Sequence, residues 1–335
     1  MLNESTIIFP GLGLTLDPPR SFSLFGLDIY FYGVIIAVGL VLAVIYGLKR
    51  SKQFGIRSDD IIDGVLWIVP LAVVCARLYY VFSEWDQYQS FEDIINIRKG
   101  GLAIYGGVIG AALGIILFAK IKKISLPAVL DLVALGFLIG QSIGRWGNFM
   151  NREAFGSYTD SIFAMQVPLS YLNNGTGAAF DELRQLAVQI NGTQYIQVHP
   201  TFLYESLWNL VGFIGLHFLS KKRRYDGQIA LGYVAWYGLG RTFIEGLRMD
   251  SLYWGPFRAS QLLAAVSCFI AVVVLLAMTL RKPDRKNLFV NRVAAREMSA
   301  AEAAEEPAAA IQEESEAGEE SETGEESEVS EETES

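Results

Sequence analysis

The amino-acid sequence predicts an all-α polytopic integral membrane protein with seven transmembrane helices, a small extracytoplasmic head and a disordered acidic C-terminal tail. Three observations lead to this fold class. Hydrophobic residues make up 52% of the 335 residues and gather into runs of membrane length. Lysines and arginines concentrate in every second connection between these runs. The final stretch carries many glutamates and no lysine or arginine.

Each apolar run is close to the length of about 20 residues with which a helix crosses a bilayer. A helix satisfies its own backbone hydrogen bonds, so it is the expected form of such a run in lipid. The seven predicted spans are Asp28–Leu48, Ile61–Phe82, Leu102–Ala119, Leu126–Ile143, Phe202–Leu219, Ile229–Glu245 and Ser260–Leu280.

The basic residues of the connections predict the orientation. Seventeen lysines and arginines follow spans one, three, five and seven, whereas eight lie in the N-terminal segment and after spans two, four and six. Basic loops remain on the cytoplasmic side. We therefore expect a multi-pass membrane protein with its N-terminus outside and its C-terminus in the cytoplasm.

The longest connection runs from Gly144 to Pro200 and lies outside in this arrangement. We expect a small head at about residues 150–200, with little strand or helix of its own. The membrane domain then comprises residues 1–285. Its first residues have no basic segment typical of a cleavable signal peptide.

Residues 286–335 form the predicted cytoplasmic tail, which is basic at first and then acidic. From Ser299 onward it holds 15 glutamates, and without them the formal charge of −9 becomes +6. Such a segment cannot bury apolar surface and its like charges repel, so we expect disorder. The simplest interpretation of the tail is a solvated extension.

The two cysteines and two histidines offer neither a disulfide framework nor a metal site. Cys75 and Cys268 lie inside apolar runs, and His199 and His217 are too few to complete a metal cluster with them. A buried cysteine is usually inert packing, although Cys75 as a nucleophile is an alternative.

The segment Gly144–Gly156 is the densest group of polar residues beside a predicted span. It holds two arginines, two asparagines and a glutamate, punctuated by three glycines. Two interpretations stay open: the floor of a functional site, or an interfacial loop whose Arg145 extends to the headgroups.

Span six carries a polar face of Tyr237, Arg241, Glu245 and Arg248, spaced by four, four and three residues. Arg241 and Glu245 can form a structural pair, but ionisable residues in spans are often functional. Further arginines are predicted toward the same outer side, at positions 77, 145 and 152. Because arginine forks match phosphate oxygens, this set suggests an anionic ligand.

Span three places Tyr105 at its outer end, above glycines at positions 106, 110 and 114. We expect the glycines to serve close helix packing. Tyr105 is either part of the site or an interfacial aromatic residue.

The pattern Gly144-Arg145-Trp146-Gly147-Asn148-Phe149…Asn151…Glu153…Gly156 resembles the signature of the prolipoprotein diacylglyceryl transferase family. The resemblance extends over about residues 20–285 and leaves out the acidic tail. Further matches are Tyr32-Gly33, Tyr105-Gly106-Gly107, His199-Pro200…Tyr204-Glu205 and Tyr237…Arg241…Glu245…Arg248.

The resemblance implies a bacterial plasma-membrane enzyme that takes diacylglycerol from phosphatidylglycerol. It would attach this group to the lipobox cysteine of a prolipoprotein signal peptide, forming a thioether and releasing glycerol phosphate. The implied partners are phosphatidylglycerol, prolipoproteins and membrane lipids, with no nucleic acid, metal or organic cofactor.

The resemblance also implies site residues. The implied catalytic residues are Arg145, Arg241, Tyr105, Asn148 and Glu153. The implied phosphatidylglycerol-binding residues are Arg145, Arg241, Asn148, Gly156, Tyr32, Tyr237 and Glu245. We expect the two arginines to hold the phosphate, and Glu153 and Glu245 to orient the arginines.

Many family members carry histidine where this chain has Tyr105. Two hypotheses for deprotonating the substrate thiol therefore stay open. Tyr105 acts as the base, which requires its pKa to fall from about 10, or the arginine-rich field lowers the pKa of the thiol itself.

A polytopic transporter or lipid-binding protein for an anionic ligand is the alternative function. A transporter predicts inverted repeats and a path open to both faces, whereas no clear repeat is present and the polar cluster is one-sided. A receptor or scaffold would leave that cluster without a purpose.

Overall fold

A computed structural model describes residues 5–88, 90–97, 100–172, 177–249, 253–254 and 257–300. Within these residues the helices are α1 (Phe31–Arg50), α2 (Ser58–Ser83), α3 (Phe91–Ile95), α4 (Ile104–Ile121), α5 (Leu126–Asn151), α6 (Ala178–Gln185), α7 (Thr201–Ser220), α8 (Gln228–Leu247) and α9 (Ala259–Leu280); residues 289–300 are also helical. The strands are β1 (Ile7–Phe9), β2 (Leu14–Leu16), β3 (Ser21–Leu24), β4 (Leu27–Tyr30), β5 (Met165–Pro168), β6 (Val188–Ile190), β7 (Thr193–Val198), β8 (Tyr253–Trp254) and β9 (Phe257–Arg258).

The helices confirm a polytopic membrane protein. Six of them, α1, α2, α4, α5, α7 and α9, are long and apolar enough to cross a membrane. The seventh predicted span coincides with α8, which has 20 residues but is interrupted by Arg241 and Glu245. Six spans are thus supported by length and composition, and the seventh stays a prediction.

Helix α5 lies at the centre of the helical assembly. It packs against α1, α7 and α8, while α2 packs with α4 and α8 with α9. The expected close packing of the span-three glycines is present. A Cβ placed on Gly110 would lie 2.6 Å from Cβ of Cys75, so only a glycine lets α4 approach α2 this closely.

A buried carboxylate fixes the start of α8. Asp131 of α5 is fully buried and accepts hydrogen bonds from the backbone N–H groups of Gly227, Ile229 and Ala230, at 2.8–2.9 Å. These are the first N–H groups of α8, which have no partner within the helix. Asp131, an acidic residue inside a predicted span, thus caps the start of α8.

The head differs from the prediction of an all-α protein whose head has little strand or helix. Five strands form one antiparallel sheet in the order β2-β1-β5-β7-β6, and α6 packs beside it. Ile7, Val167 and Ile196 are fully buried in its core. The strands have three to six residues and two of them precede the first span, so no local alternation pattern revealed them.

Two boundaries also differ from the prediction. The first span begins at Phe31, because the preceding residues pair as the β3–β4 hairpin. The predicted tail from residue 286 begins with an ordered contact: Leu288 is buried, and the N–H of Phe289 donates to Asp226 Oδ2 at 2.8 Å. The acidic part, residues 301–335, lies outside the described residues.

Candidate active site

The carboxylate of Glu205 lies at the centre of an arginine cluster. Its Oε1 accepts a hydrogen bond from Arg145 Nη2 at 2.6 Å, and its Oε2 accepts one from Arg241 Nη1 at 3.2 Å. Arg248 Nη1 lies 4.0 Å from the same Oε2. The Glu205 side chain is only 2% exposed, so its negative charge is held in place by these guanidinium groups.

Three helices bring these side chains to one end of the helical assembly. Arg145 lies in the last two turns of α5, Glu205 in the first turns of α7, and Arg241 near the end of α8. On α8, Arg241 and Glu245 form an ion pair through Nη2 and Oε2, as their spacing of four residues predicts.

The cluster has a small positive excess. In the described residues, Arg145, Arg241 and Arg248, with Arg258 bound to the carbonyl oxygens of Glu245 and Arg248, carry four positive charges. Glu205, Glu245 and Glu153, the last joined through Asn148, carry three negative charges, which leaves one positive charge. The side chains of Arg145 and Arg241 remain 22% and 16% exposed, so neither is fully buried. The cluster can therefore receive a monoanion.

A row of amides extends the cluster along the end of α5. Arg145 Nη1 donates to Asn148 Oδ1 at 3.4 Å, and Asn148 Nδ2 donates to Glu153 Oε1 at 2.9 Å. Asn151 Nδ2 donates to the same oxygen at 3.3 Å. Glu153 therefore contacts amides, and it acts on Arg145 only through Asn148. The expectation that Glu153 orients an arginine stays a prediction, with Asn148 as the connecting residue.

Gly156 fastens the loop after α5 to two other elements. Its N–H donates to the carbonyl oxygen of His199 at 2.9 Å, and the next N–H, of Ser157, donates to Leu247 O at 2.8 Å. A Cβ on Gly156 would lie 2.7 Å from Cβ of His199 and 2.9 Å from that Leu247 oxygen. Glycine is thus required by packing, and its contact with a ligand stays a prediction.

Two of the predicted tyrosines border the cluster. Tyr237 lies one turn before Arg241, stacks on Tyr233 with ring centroids 5.7 Å apart, and experiences the charges of Glu205 and Arg241. Tyr32 begins α1 and packs over Gly147 of α5. The ring of Tyr32 therefore lies beside the end of α5, and the ring of Tyr237 lies within the electric field of the arginines.

Tyr105 packs beside α2 at the start of α4. It lies in the first turn of α4, is 54% exposed, and its ring centroid lies 6.4 Å from that of Tyr79 on α2. No hydrogen bond joins Tyr105 to Arg145, Arg241 or Glu205 in the described part of the chain. Of the predicted catalytic residues, it is the one that the structure does not bring into the cluster.

Two further arginines expected beside the cluster have structural partners. Arg77 is buried and donates to backbone carbonyls of the segment before α4. These acceptors are Asp93, Ile94, Asn96, Gly100 and Gly101, at 2.6–3.2 Å. Arg77 therefore holds a loop, and it is not available to a ligand.

Arg152 joins the N-terminal segment to the end of α5. It is buried and donates to the carbonyl oxygens of Ser5 and Pro18, both at 2.6 Å. Burial lowers the pKa of this guanidinium from its usual value, and the nearby Tyr171 and Asp17 act in the opposite direction. The expectation that residues 77 and 152 face the ligand is thus wrong, because the guanidinium group of each donates its hydrogen bonds to backbone carbonyl oxygens.

Glu205 is the residue that sequence reasoning left out of the site. It appeared only within the family match His199-Pro200…Tyr204-Glu205. The signal that could have identified it is a glutamate inside an apolar helix opposite two arginines, since a buried charge requires a partner. In the described residues, no group of three or more His, Cys, Asp or Glu side chains is arranged to hold a metal ion.

Comparison with known proteins gives one consistent result. Residues 19–277 match the family described as "Prolipoprotein diacylglyceryl transferase". A phosphatidylglycerol–prolipoprotein diacylglyceryl transferase of Enterococcus faecalis is 43% identical over 278 residues, 81% of this chain and 93% of that protein. Similar proteins from Clostridium perfringens (41% over 276 residues, 82% and 99%) and Listeria monocytogenes (39% over 269 residues, 79% and 91%) carry the same description.

Proposed function

The chain belongs to the prolipoprotein diacylglyceryl transferase family, and from this premise we propose that it moves the diacylglyceryl group of phosphatidylglycerol to the lipobox cysteine of a prolipoprotein. It is a transferase of lipoprotein biosynthesis. In the reaction the cysteine sulfur forms a bond to the glycerol carbon, and the bond from that carbon to the phosphate oxygen breaks. The thiol proton passes to water, and glycerol phosphate leaves with the electron pair of the broken carbon–oxygen bond.

The observation that carries the proposal is the shared carboxylate between Arg145 and Arg241. Glu205 holds both guanidinium groups by hydrogen bonds at 2.6 and 3.2 Å, so their remaining donors have fixed directions. A phosphodiester is a monoanion and matches the single excess positive charge of the cluster. Arginine donors fixed in this way would stabilise the charge that grows on the leaving phosphate.

The other residues of the cluster would assist by orientation. Asn148, held between Arg145 and Glu153, presents an amide to the headgroup. Glu245 fixes Arg241 through their ion pair. Tyr32 and Tyr237 border the same space and would contact the lipid, and Gly156 keeps the loop close to the ends of α7 and α8.

In the described residues no hydrogen bond joins Tyr105 to the arginines, and this supports one of the two hypotheses for deprotonation. A cysteine thiol has a pKa of about 8.5, and nearby positive charge stabilises its thiolate. We propose that the arginine cluster lowers the pKa of the substrate thiol. In this scheme Tyr105 does not accept the proton.

We propose the same topology that the loop charges indicate. Helix α8 is the seventh span, the N-terminus and the sheet-containing head face outward, and the C-terminus is cytoplasmic. The arginine cluster lies at the head end of α5, where the chain continues directly into the head. This position favours lipid from the outer leaflet and a precursor whose lipobox has crossed the membrane.

Transfer by the purified full-length protein tests the proposal. Phosphatidylglycerol and a lipobox peptide are supplied in detergent, and glycerol phosphate is measured over time. We expect release that depends on the peptide and disappears when its cysteine is replaced by serine. Folded protein that binds phosphatidylglycerol without releasing glycerol phosphate would contradict the proposal and favour a lipid-binding or transport function.

A further inference from the structure

A second positively charged site lies at the opposite end of α5. A cavity of about 350 Å³ opens between the loop before α5, the first residues of α5 and the helical residues 289–300. Its lining contains three cations, Lys123, Arg292 and Arg296, and no carboxylate. Nineteen helical residues separate its Leu126 from Arg145, which corresponds to about 29 Å. The cavity is therefore separate from the arginine cluster.

The two arginines of the cavity are held on an ordered support. Arg292 and Arg296 follow Phe289 at three and seven residues, so all three lie on one helical face. The preceding residue, Leu288, is buried, and the N–H of Phe289 donates to Asp226 Oδ2. Arg285 Nε also donates to the carbonyl oxygen of Arg223 at 3.1 Å. The arginines are thus presented by a docked segment.

Among the described residues, the cations of the cavity have little charge compensation. Arg292 Nη2 lies 4.0 Å from Asp226 Oδ2 and its side chain is 55% exposed, so this ion pair is weak. Lys123 is the lysine that lines the cavity. Its neighbour Lys122, by contrast, forms ion pairs with Asp60 and Asp63. Ser125, at the N-cap of α5, forms no capping hydrogen bond through its side chain.

The remaining lining is suited to the upper part of a lipid. Ile124, Leu126, Val293 and Phe289 provide apolar surface beside the three cations. A cavity at the end of a membrane helix, cationic on one part and apolar on the other, matches a phosphodiester attached to acyl chains. Anionic lipid is attracted to basic residues at a membrane surface by about 1 kcal/mol per residue.

We infer that this cavity binds the headgroup phosphate of an anionic phospholipid, at the membrane surface opposite the transfer site. The bound lipid would join the loop before α5 to helical residues 289–300. The site is independent of the transfer reaction, and with the proposed topology it faces the cytoplasmic leaflet.

Photo-cross-linking of the full-length protein in phosphatidylcholine nanodiscs tests the inference. The probe is a phosphatidylglycerol analogue with a diazirine near the glycerol. We expect labelled peptides from residues 123–127 and 289–296, together with labelling near Arg145 as an internal control. Because labelling requires no turnover, a failed transfer reaction would not affect this result.

Matched variants separate the site from general surface charge. Arg292→Gln with Arg296→Gln should reduce labelling at the cavity roughly 10- to 30-fold. Arg281→Gln with Lys282→Gln removes two exposed charges near the same end and should leave labelling unchanged. Lys123→Gln, in a different element, should reduce labelling even if the double variant does not fold.

Four outcomes would overturn the inference. The first is equal labelling by a phosphatidylcholine analogue, and the second is unchanged labelling in both Lys123→Gln and the double variant. The third is loss of labelling when millimolar inorganic phosphate is added. The fourth is absence of labelling at the cavity while the Arg145 region is labelled. The third would indicate a free-anion site. The fourth would be expected if the glutamate-rich residues 301–335 filled the cavity.

Discussion

Glu205 and Arg145 form a 2.6 Å hydrogen bond between two different helices, and the same carboxylate also binds Arg241. A buried carboxylate with two arginine partners fixes the distance between the two guanidinium groups. The geometry of the proposed phosphate site therefore depends on a residue that need not contact the phosphate. This relationship leads to the first prediction.

Glu205→Gln should reduce the transfer rate by about 10²-fold or more. The neutral glutamine amide cannot form ion pairs with the two arginines, so it would no longer hold them in position. Removing one partner of a buried ion pair also costs about 3–5 kcal/mol of stability. Transfer rates and thermal unfolding of the variant measure the two effects. Glu182→Gln, at an exposed position in α6, is the control and should change neither. Full activity of Glu205→Gln would show that the arginines do not need their shared carboxylate.

Arg145→Lys and Arg241→Lys should each reduce transfer by about 10²–10³-fold, although the charge is kept. Lysine cannot bind a carboxylate and a phosphate oxygen with one rigid fork. Steady-state rates with phosphatidylglycerol are the measurement, and Arg184→Lys, in an exposed ion pair with Asp181, is the control. Nearly unchanged rates in both variants would exclude a bidentate phosphate site.

Tyr105→Phe should keep transfer within about tenfold of the original rate, since a general base usually contributes 10²–10⁴-fold. The variant should also keep the pH at which the rate is half maximal, because the titrating group in this scheme is the substrate thiol. A pH–rate profile measures both quantities, and Tyr79→Phe controls for loss of the neighbouring hydroxyl. A loss of 10²-fold or more with Tyr105→Phe alone would identify the phenol as the base.

Gly156→Ala should destabilise the protein by about 1–3 kcal/mol, because the added Cβ overlaps His199 and Leu247. The transfer rate should fall together with the thermal stability. Gly215→Ala is the matched control, as a Cβ there meets nothing within 4 Å. If the Gly156 variant were fully stable yet bound phosphatidylglycerol weakly, a direct role in lipid binding would replace the packing role.

The sequence predicted the parts of the fold that depend on local pattern. Each predicted span coincides with a long helix, because apolar runs of this length have one stable form in lipid. The span ending at Ile143 was placed too short, since α5 continues to Asn151 through polar residues. The head was predicted but its sheet was not, because β1 pairs with β5 across more than 150 residues of chain.

Part of the predicted site is connected in the structure, and the roles of its residues stay predictions. Arg145, Asn148, Glu153, Arg241 and Glu245 are connected in the structure as a group. Arg77 and Arg152 could not be separated from them by sequence, because the carbonyl groups that bind them come from distant loops. Glu205 was overlooked for the same reason: its partners are 60 and 36 residues away.

The polar face of α8 also has a consequence for biogenesis. This helix is not among the six that are apolar enough to cross a membrane by themselves. Released alone by the translocon, it would expose Arg241 and Glu245 to hydrocarbon at a cost of several kcal/mol. Glu205, on the helix synthesised just before, offers Arg241 a partner. If α8 is the seventh span as proposed, the ion pairs of Glu205 also predict an order of assembly, in which α7 is in place before α8 enters the bilayer.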